Sequence, residues 1–224
     1  RKVNMTSKEA YEIAVKEGPS DNTREAACED SMCAVLYARD IDKGPRDDTR
    51  AAACKDSKSA YSYALNVDRG PCDDTRLAAC KDPSSAYFYA MNIDKCSMDD
   101  TRSTVCQNPL YAYQYATVID KSPRDDTREA ACRDPFEAYM YALNVDEGPN
   151  DLTRTSACMD PGNAYRYARY IDIGPREDTR KSACEDPEWA LCYACYVDKC
   201  PRDDTREAVS MDPEYLDEYN KEFN

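Results

Sequence analysis

Histidine is absent from this chain of 224 residues, and that absence excludes several common kinds of catalytic site. Without an imidazole there is no Ser-His-Asp triad, no Cys-His pair, no HExxH zinc site and no two-His iron site. Large apolar aromatic residues are also scarce, because the chain has one Trp and three Phe against 18 Tyr. The core must therefore be built from Ala, Tyr, Cys and a few aliphatic residues.

Long hydrophobic runs and an excess of positive charge are missing as well. The longest apolar runs, such as residues 86–91, are far shorter than the ~20 residues that cross a bilayer. The chain has 44 acidic and 30 basic residues and a net charge of −14. Binding to a phosphate backbone relies on clustered Lys and Arg. We therefore predict neither a membrane span nor a nucleic-acid partner.

The chain does contain an internal repeat that runs without a gap. One copy, residues 124–149, reads RDDTREAACRDPFEAYMYALNVDEGP. A unit this short cannot bury its own apolar face, so such units stack side by side. We predict an all-α solenoid of about eight helix-turn-helix repeats. The repeat is marked by a Thr-Arg pair that recurs at the same spacing, at Thr23-Arg24, Thr49-Arg50, Thr75-Arg76, Thr101-Arg102, Thr127-Arg128, Thr153-Arg154, Thr179-Arg180 and Thr205-Arg206.

Each repeat carries start and stop signals for two helices, which we call helix A and helix B. The acidic pair Asp125-Asp126 predicts the cap of helix A, and Asp134 with Pro135 predicts the start of helix B. Gly148 is expected at the left-handed position that ends helix B. Its equivalents are Gly18, Gly44, Gly70 and Gly174, with Cys96, Ser122 and Cys200 as replacements that we expect to be modestly unfavourable.

Helix B also has the apolar spacing of a buried stripe. Ala138, Tyr141, Ala142 and Val145 fall at i, i+3, i+4 and i+7. The chain is expected to form one domain, residues 1–224, with an N-terminal cap at 1–20, repeats at 21–211 and a C-terminal cap helix at 212–224.

The two ends of the chain differ from the middle repeats. At the N-terminus Lys8 and Glu12 stand where the stripe has Ala, and Thr6 with Glu9 predicts a capping box. The last helix is polar, which is what terminal repeats need for solubility. Its polar residues are Asp217, Glu218, Asn220, Lys221 and Glu222.

The unit Asp-Pro-x-x-Ala-Tyr-x-Tyr-Ala followed by Val/Ile-x-x-Gly resembles short two-helix repeats in proteins of large phages and other large viruses. Those repeats have the same 26-residue step and carry Tyr-Ala-Tyr runs on the longer helix. Most of those proteins have no assigned biochemistry. The resemblance therefore implies the repeat architecture, and it makes a virion component, a fibre or an assembly factor the expected role.

Seven Cys recur at the end of helix A. They could bind metal or form disulfides, or serve as small packing residues, and we favour packing because neighbours one layer apart are too far for a disulfide. A Cys72–Cys96 bridge and a role for the Cys192-x-x-Cys195 pair stay open, and so many unpaired thiols favour a reducing compartment. The column comprises Cys28, Cys54, Cys80, Cys106, Cys132, Cys158 and Cys184.

An Asp closes helix B in seven repeats, where the helix dipole makes a negative charge unfavourable. We therefore predict an Arg–Asp ladder, for example Asp146 with Arg154 or with the Arg of a neighbouring layer. An Arg row for anionic ligands is the alternative. The ladder would use Arg24, Arg50, Arg76, Arg102, Arg128, Arg154, Arg180 and Arg206 with Asp42, Asp68, Asp94, Asp120, Asp146, Asp172 and Asp198.

Tyr residues form two columns on helix B. The first is predicted to be core, with hydroxyls that need partners: Tyr37, Tyr63, Tyr89, Tyr115, Tyr141, Tyr167 and Tyr193. The second either packs or offers a face to a protein, and we favour packing: Tyr61, Tyr87, Tyr113, Tyr139 and Tyr165.

The sequence names no reaction. It has no Gly-rich phosphate loop and no unique carboxylate pair, so we predict a non-enzymatic protein without cofactor or metal. Acidic loops such as Asp125-Asp126 could chelate Ca²⁺, although capping is favoured. The predicted partner is another protein, either a regular assembly or a second copy. The alternative is an acidic module that mimics nucleic acid and occupies a basic groove.

Overall fold

The chain divides into two compact units, Arg1–Gln107 and Asn108–Asn224. The computed structural model describes residues 5–223, and no strand occurs among them. The first unit contains α1 Ser7–Glu17, α2 Asp21–Ala27, α3 Ser31–Tyr37, α4 Asp47–Ala53, α5 Ser57–Tyr63, α6 Asp73–Ala79, α7 Pro83–Tyr89 and α8 Asp99–Val105. The second contains α9 Pro109–Tyr115, α10 Asp125–Ala131, α11 Pro135–Asn144, α12 Asp151–Ala157, α13 Pro161–Tyr167, α14 Glu177–Ala183, α15 Pro187–Tyr193, α16 Asp203–Val209 and α17 Pro213–Phe223.

Most B helices continue into a five-residue π-helical turn, which α11 lacks because it stays α-helical to Asn144. The turns are Ala38–Asp42, Ala64–Asp68, Ala90–Asp94, Ala116–Asp120, Ala168–Asp172 and Ala194–Asp198. Within each unit, consecutive two-helix repeats pack against their neighbours. The predicted all-α solenoid architecture is therefore confirmed.

Stacked repeats share one apolar seam, as the stripe predicted. In the second unit, Ala116 of one repeat, Ala131 of the next helix A, and Tyr141 with Val145 of the next helix B form one cluster, against which Tyr113 packs. The first unit repeats this arrangement with Val35, Ala38, Ala53, Tyr63 and Val67. Within each unit, such layers thus bury their stripe against the repeat before them.

Helix B starts as predicted. The Asp134 carboxylate accepts hydrogen bonds from the backbone N–H groups of Phe136 and Glu137, and Pro135 occupies the first turn. The other B helices have the same cap, including the one that begins after Asn108. An Asx side chain therefore satisfies the free backbone donors of these helix ends.

The predicted start of helix A is confirmed in part, because the Asp126 carboxylate accepts a hydrogen bond from the Thr127 N–H at 2.8 Å. Asp125 is already the first helical residue, and the N-cap is Arg124, whose side chain makes no capping bond. A second contribution comes from helix B, because the Tyr141 hydroxyl accepts from the Arg124 N–H and donates to its carbonyl. A distant buried phenol thus acts together with the local carboxylate of Asp126.

The predicted left-handed position is wrong by one residue. The left-handed residue comes before the Gly, at Glu147 with φ 52°, and the Gly148 N–H bonds to the Ala142 carbonyl. The Gly148 N–H thus satisfies a carbonyl of the last helical turn, although Gly148 itself has no positive φ. Gly18 alone has a positive φ among the Gly. Cys96, Ser122 and Cys200 therefore stand in place of the Gly of the other repeats without backbone strain.

The N-terminal helix begins two residues later than a strict 26-residue register places it. Its capping box of Thr6 and Glu9 is confirmed. Ala10 and Ala14 are its buried residues. The prediction that Lys8 and Glu12 replace the stripe alanines is therefore wrong. In the last helix Tyr219 is buried, while Asp217, Glu218, Lys221 and Glu222 are exposed.

Candidate functional site

An Arg clamp closes most of the repeats. In the fifth repeat Arg128 donates through Nε and Nη2 to Asp146, and through Nη1 to Asp125 at 2.7 Å. Its guanidinium also lies over the Tyr141 ring, 5.7 Å from the centroid. The bond to Asp146 raises the pKa of Arg128. The clamp thereby offsets a carboxylate at a helix C-terminus.

The partner in this clamp differs from the one the sequence predicted. Asp146 pairs with Arg128 of its own repeat, so the expected Asp146–Arg154 pair is wrong. The reason is that the start of helix A lies beside the end of helix B in the same repeat. The same pairing joins Arg24 to Asp42, Arg50 to Asp68, Arg76 to Asp94, Arg154 to Asp172 and Arg180 to Asp198. Of the other predicted ladder residues, Arg102 donates to Ser97 and Asp99, and Arg206 lies over Tyr219.

The first Tyr column is buried, and its hydroxyls have partners. Tyr141 is fully buried, and its hydroxyl lies 2.9 Å from Thr127 Oγ1. Burial raises the pKa of this phenol. The same Thr–Tyr bond is present in other repeats, at Thr23–Tyr37, Thr49–Tyr63, Thr75–Tyr89, Thr153–Tyr167, Thr179–Tyr193 and Thr205–Tyr219. Tyr115 is also fully buried.

Half-buried thiols form the Cys column at the C-caps of the A helices. Burial raises the pKa of Cys132 to about 11 and that of Cys158 to about 12. The backbone carbonyl of Cys132 accepts a bond from Ser156 Oγ of the next repeat at 2.7 Å. These residues therefore link layers through their backbone, and their thiols carry little thiolate at neutral pH.

All thirteen Cys are free thiols in this structure, including Cys72, Cys96, Cys192 and Cys195. Over residues 5–223 no three His, Cys, Asp or Glu side chains come together as a group that could hold a metal ion. No helix in the same range has the length and apolarity to span a membrane.

The second Tyr column lies mostly inside the layers. Tyr87, Tyr139 and Tyr165 are buried, and little of each ring is left for a partner. Tyr61 and Tyr113 are half-buried, and each hydroxyl accepts a bond from an Asn of the next repeat. The candidate interaction face is therefore formed by other residues of helix B.

Those residues surround Arg169 in the second unit. Its guanidinium lies 4.4 Å from the centroid of Tyr196 and 5.3 Å from that of Tyr170, and it donates to the Tyr165 hydroxyl. Tyr170 and Tyr196 are 49% and 54% exposed. The guanidinium is thus held by aromatic rings at the surface.

A second stack lies beside it. The Arg166 guanidinium is 5.0 Å from the centroid of the Trp189 ring and donates to Asn163 Oδ1. Trp189 also stacks on Tyr165, with centroids 5.7 Å apart and planes 30° apart. A Cβ at Gly162 would lie 3.0 Å from Trp189 Cε2, so the ring sits tightly on the backbone. We call Arg166, Arg169, Tyr170, Trp189 and Tyr196 the aromatic–arginine patch.

The two helix layers present different surfaces. Exposed large apolar side chains are concentrated on the B helices, at Met32, Leu65, Phe88, Leu110, Val118, Phe136, Leu143, Tyr170 and Tyr196. The A helices present an exposed carboxylate row at Asp21, Asp47, Asp73, Asp99, Asp125 and Asp151, whose side chains are 87–104% exposed. Helix A is thus the acidic side, and helix B is the apolar and aromatic side.

Most of the aromatic–arginine patch was not predicted from the sequence. Trp189 is the one Trp of the chain and departs from the repeat, but no surface was predicted there. A usable signal was present in the columns, because the positions equivalent to Arg166 hold uncharged residues in repeats one to five: Leu36, Ser62, Phe88, Gln114 and Met140.

Comparison with protein-family models, with curated proteins and with solved structures finds no match to this chain.

Proposed function

We propose that this chain is a non-enzymatic interaction protein that binds a protein partner through the aromatic–arginine patch. The observation that carries the proposal is the patch itself, where two guanidinium groups are stacked on Trp189, Tyr170 and Tyr196 at the surface. Trp, Tyr and Arg are the residues that dominate binding energy at protein interfaces.

A partner bound at the patch buries apolar ring surface that is exposed in the free chain. Tyr170 and Tyr196 each leave about half of the side chain exposed. Burying roughly 100 Å² of ring at ~25 cal/mol per Å² contributes about 2.5 kcal/mol for each residue. The rings are already stacked on Arg169, so less side-chain freedom is lost on docking. Neighbouring Phe136 and Leu143 extend the apolar area on the same side of the second unit.

The setting we propose is a regular assembly, with the chain as a virion component, a fibre or an assembly factor. The resemblance of the repeat to those of large phages and other large viruses supports this setting. A stack of repeats of equal length also suits a partner with a regular surface.

A second candidate is an acidic module that occupies the basic groove of another protein. The exposed carboxylate row favours it, because Asp47 and Asp73 project from successive A helices almost fully into solvent. Such binding would be salt-sensitive, since it depends on exposed charges.

Site-specific photo-cross-linking distinguishes the two candidates. Benzoyl-phenylalanine is placed at Tyr170 on the patch or, as the matched control, at Leu77, which is 60% exposed on helix A. The chains are irradiated in the cells that produce them. The proposal expects a discrete protein adduct from position 170. An adduct from position 77 alone, with a yield that falls when a lysate is irradiated at high salt, supports the acidic module, and equal random labelling from both positions contradicts the proposal.

A further inference from the structure

We propose that the aromatic–arginine patch docks on the acidic helix-A side of a second copy of this chain. This inference rests on the proposed function and specifies its partner. It is argued from the second unit alone, where the patch and a matching set of carboxylates are both present.

Arg166 and Arg169 each have N–H donors that make no hydrogen bond within the described residues. Most Arg of the Thr-Arg pairs bond to carboxylates, but Arg166 donates to the Asn163 amide and Arg169 donates to the Tyr165 hydroxyl. Among residues 5–223 neither has an Asp or Glu within ion-pair distance. A guanidinium has five N–H donors in a planar fork that fits a carboxylate. The preferred ligand of the patch is therefore a carboxylate beside an apolar side chain.

The helix-A side of the same unit offers that combination. The Asp125 and Asp151 side chains are 93% and 99% exposed, and each uses an oxygen for its own Arg while the rest of the carboxylate faces solvent. Glu129 is exposed one turn further along helix A. Leu152 follows Asp151 and is 44% exposed. Acidic groups and an apolar side chain thus stand next to each other.

The repeat step makes a second copy a matched partner. Tyr170 and Tyr196 of the patch occupy the same position in successive repeats, and Asp125 and Asp151 occupy the same position in successive A helices. Both surfaces are built from repeats of equal length. Equivalent side chains on either surface are therefore separated by the same repeat step. A partner built on another period would fall out of register after one or two layers.

Contact between two different faces has a consequence for assembly. Each copy has both a patch and a helix-A side, so the contact is heterologous and leaves one face free at each end. The association is therefore expected to grow beyond a dimer as concentration rises. Self-repulsion from a net charge of −14 opposes it, and at 0.15 M salt this repulsion is screened beyond ~8 Å.

Sedimentation velocity of the full chain tests the inference, over about 1 to 100 μM at 0.15 M salt, the range in which weak dissociation constants fall. The variants are Arg166→Glu with Arg169→Glu on the patch, and Glu129→Lys with Thr155→Lys on helix A, where Thr155 is the exposed equivalent of Glu129 in the next repeat. The helix-A change is compatible with the fold, because Lys181 already occupies the equivalent position.

We expect the sedimentation coefficient of the wild type to rise with concentration. Each double variant should need at least about tenfold more protein to reach the same sedimentation coefficient. An equimolar mixture of the two double variants should recover association, because Lys then faces Glu. The matched control is Lys95→Glu with Lys121→Glu, which changes the net charge by the same amount and sign as the patch pair. Both positions are exposed, and Glu147 occupies the equivalent position in another repeat.

A wild type that stays monomeric throughout overturns the inference, as does a control pair that weakens association as strongly as the patch pair. A monomeric wild type that still cross-links from position 170 to a different protein removes the second copy as partner and leaves the proposed function intact. The two failures are therefore distinguishable.

Discussion

Replacing Arg128 with alanine tests how a repeat is held closed. In the structure Arg128 bonds to Asp146 at 2.8 Å and to Asp125 at 2.7 Å, and it lies over Tyr141. The substitution leaves the Asp146 carboxylate, whose side chain is 8% exposed, without its partner at the end of helix B. We therefore expect a large loss of stability from a single truncation.

The expected losses of stability differ because the Asp146 carboxylate is buried and the Asp125 carboxylate is exposed. Removing one partner of a buried ion pair costs ~3–5 kcal/mol, and the 14% exposure of Arg128 places the expected loss near the lower end, about 3 kcal/mol. Asp125 is 93% exposed, so Asp125→Ala should cost about 0.5 kcal/mol or less. Arg128→Ala combined with Asp146→Ala should cost less than Arg128→Ala alone, because no buried charge is left.

Urea unfolding followed by far-UV circular dichroism measures these differences. Midpoints are compared first, since repeat proteins can depart from two-state unfolding. The reasoning is refuted if Arg128→Ala unfolds at the wild-type midpoint. It is also refuted if Asp125→Ala is as destabilising as Arg128→Ala, because the exposed pair would then carry the stability.

Three further predictions concern the helix ends and the thiols. Tyr141→Phe should lower the unfolding free energy by ~1–3 kcal/mol in urea titrations, because the capping bonds at helix A are lost. In thermal unfolding, Glu147→Gly should raise the melting temperature and Gly148→Ala should leave it nearly unchanged, since only position 147 has a positive φ; the opposite order would contradict the structure. Burial raises the pKa of Cys132 from 9.0 to about 11, so the unfolded state loses this proton first and stability should fall as pH rises through that window. Urea titrations at several pH values should show a weaker fall for Cys132→Ala, and an unchanged slope would contradict the burial of the thiol.

Local and periodic features of the fold were predictable from the sequence. The Asp134 cap and the stripe of Tyr141 and Val145 depend on neighbours a few residues away, which a 26-residue repeat displays several times over. The stacking followed from them, because a two-helix unit has nowhere else to bury such a stripe.

Features that depend on the meeting of distant residues were missed. The Tyr141 hydroxyl caps a helix 17 residues earlier in the chain, and Arg128 reaches Asp146 across the repeat. The left-handed residue is Glu147, one position before the Gly that the sequence indicated. Sequence preferences at helix ends indicate that a helix stops but do not fix which of two adjacent residues reverses the chain.

The aromatic–arginine patch was missed for a different reason. Its residues depart from the repeat pattern, and a periodic pattern predicts only the positions that recur. Arg169 and Tyr196 belong to successive repeats and come together only because successive B helices are adjacent.

Hydroxyl-radical footprinting of Tyr170 and Tyr196 is the most direct test of the central claim, that the patch is the surface by which this chain binds a protein. The chain purified with its bound partners is compared with the same chain produced alone and diluted, and fully buried Tyr141 is the internal reference. The account predicts strong protection of both patch tyrosines in the purified assembly and an unchanged signal at Tyr141. Equal oxidation of Tyr170 and Tyr196 in the two samples would contradict it.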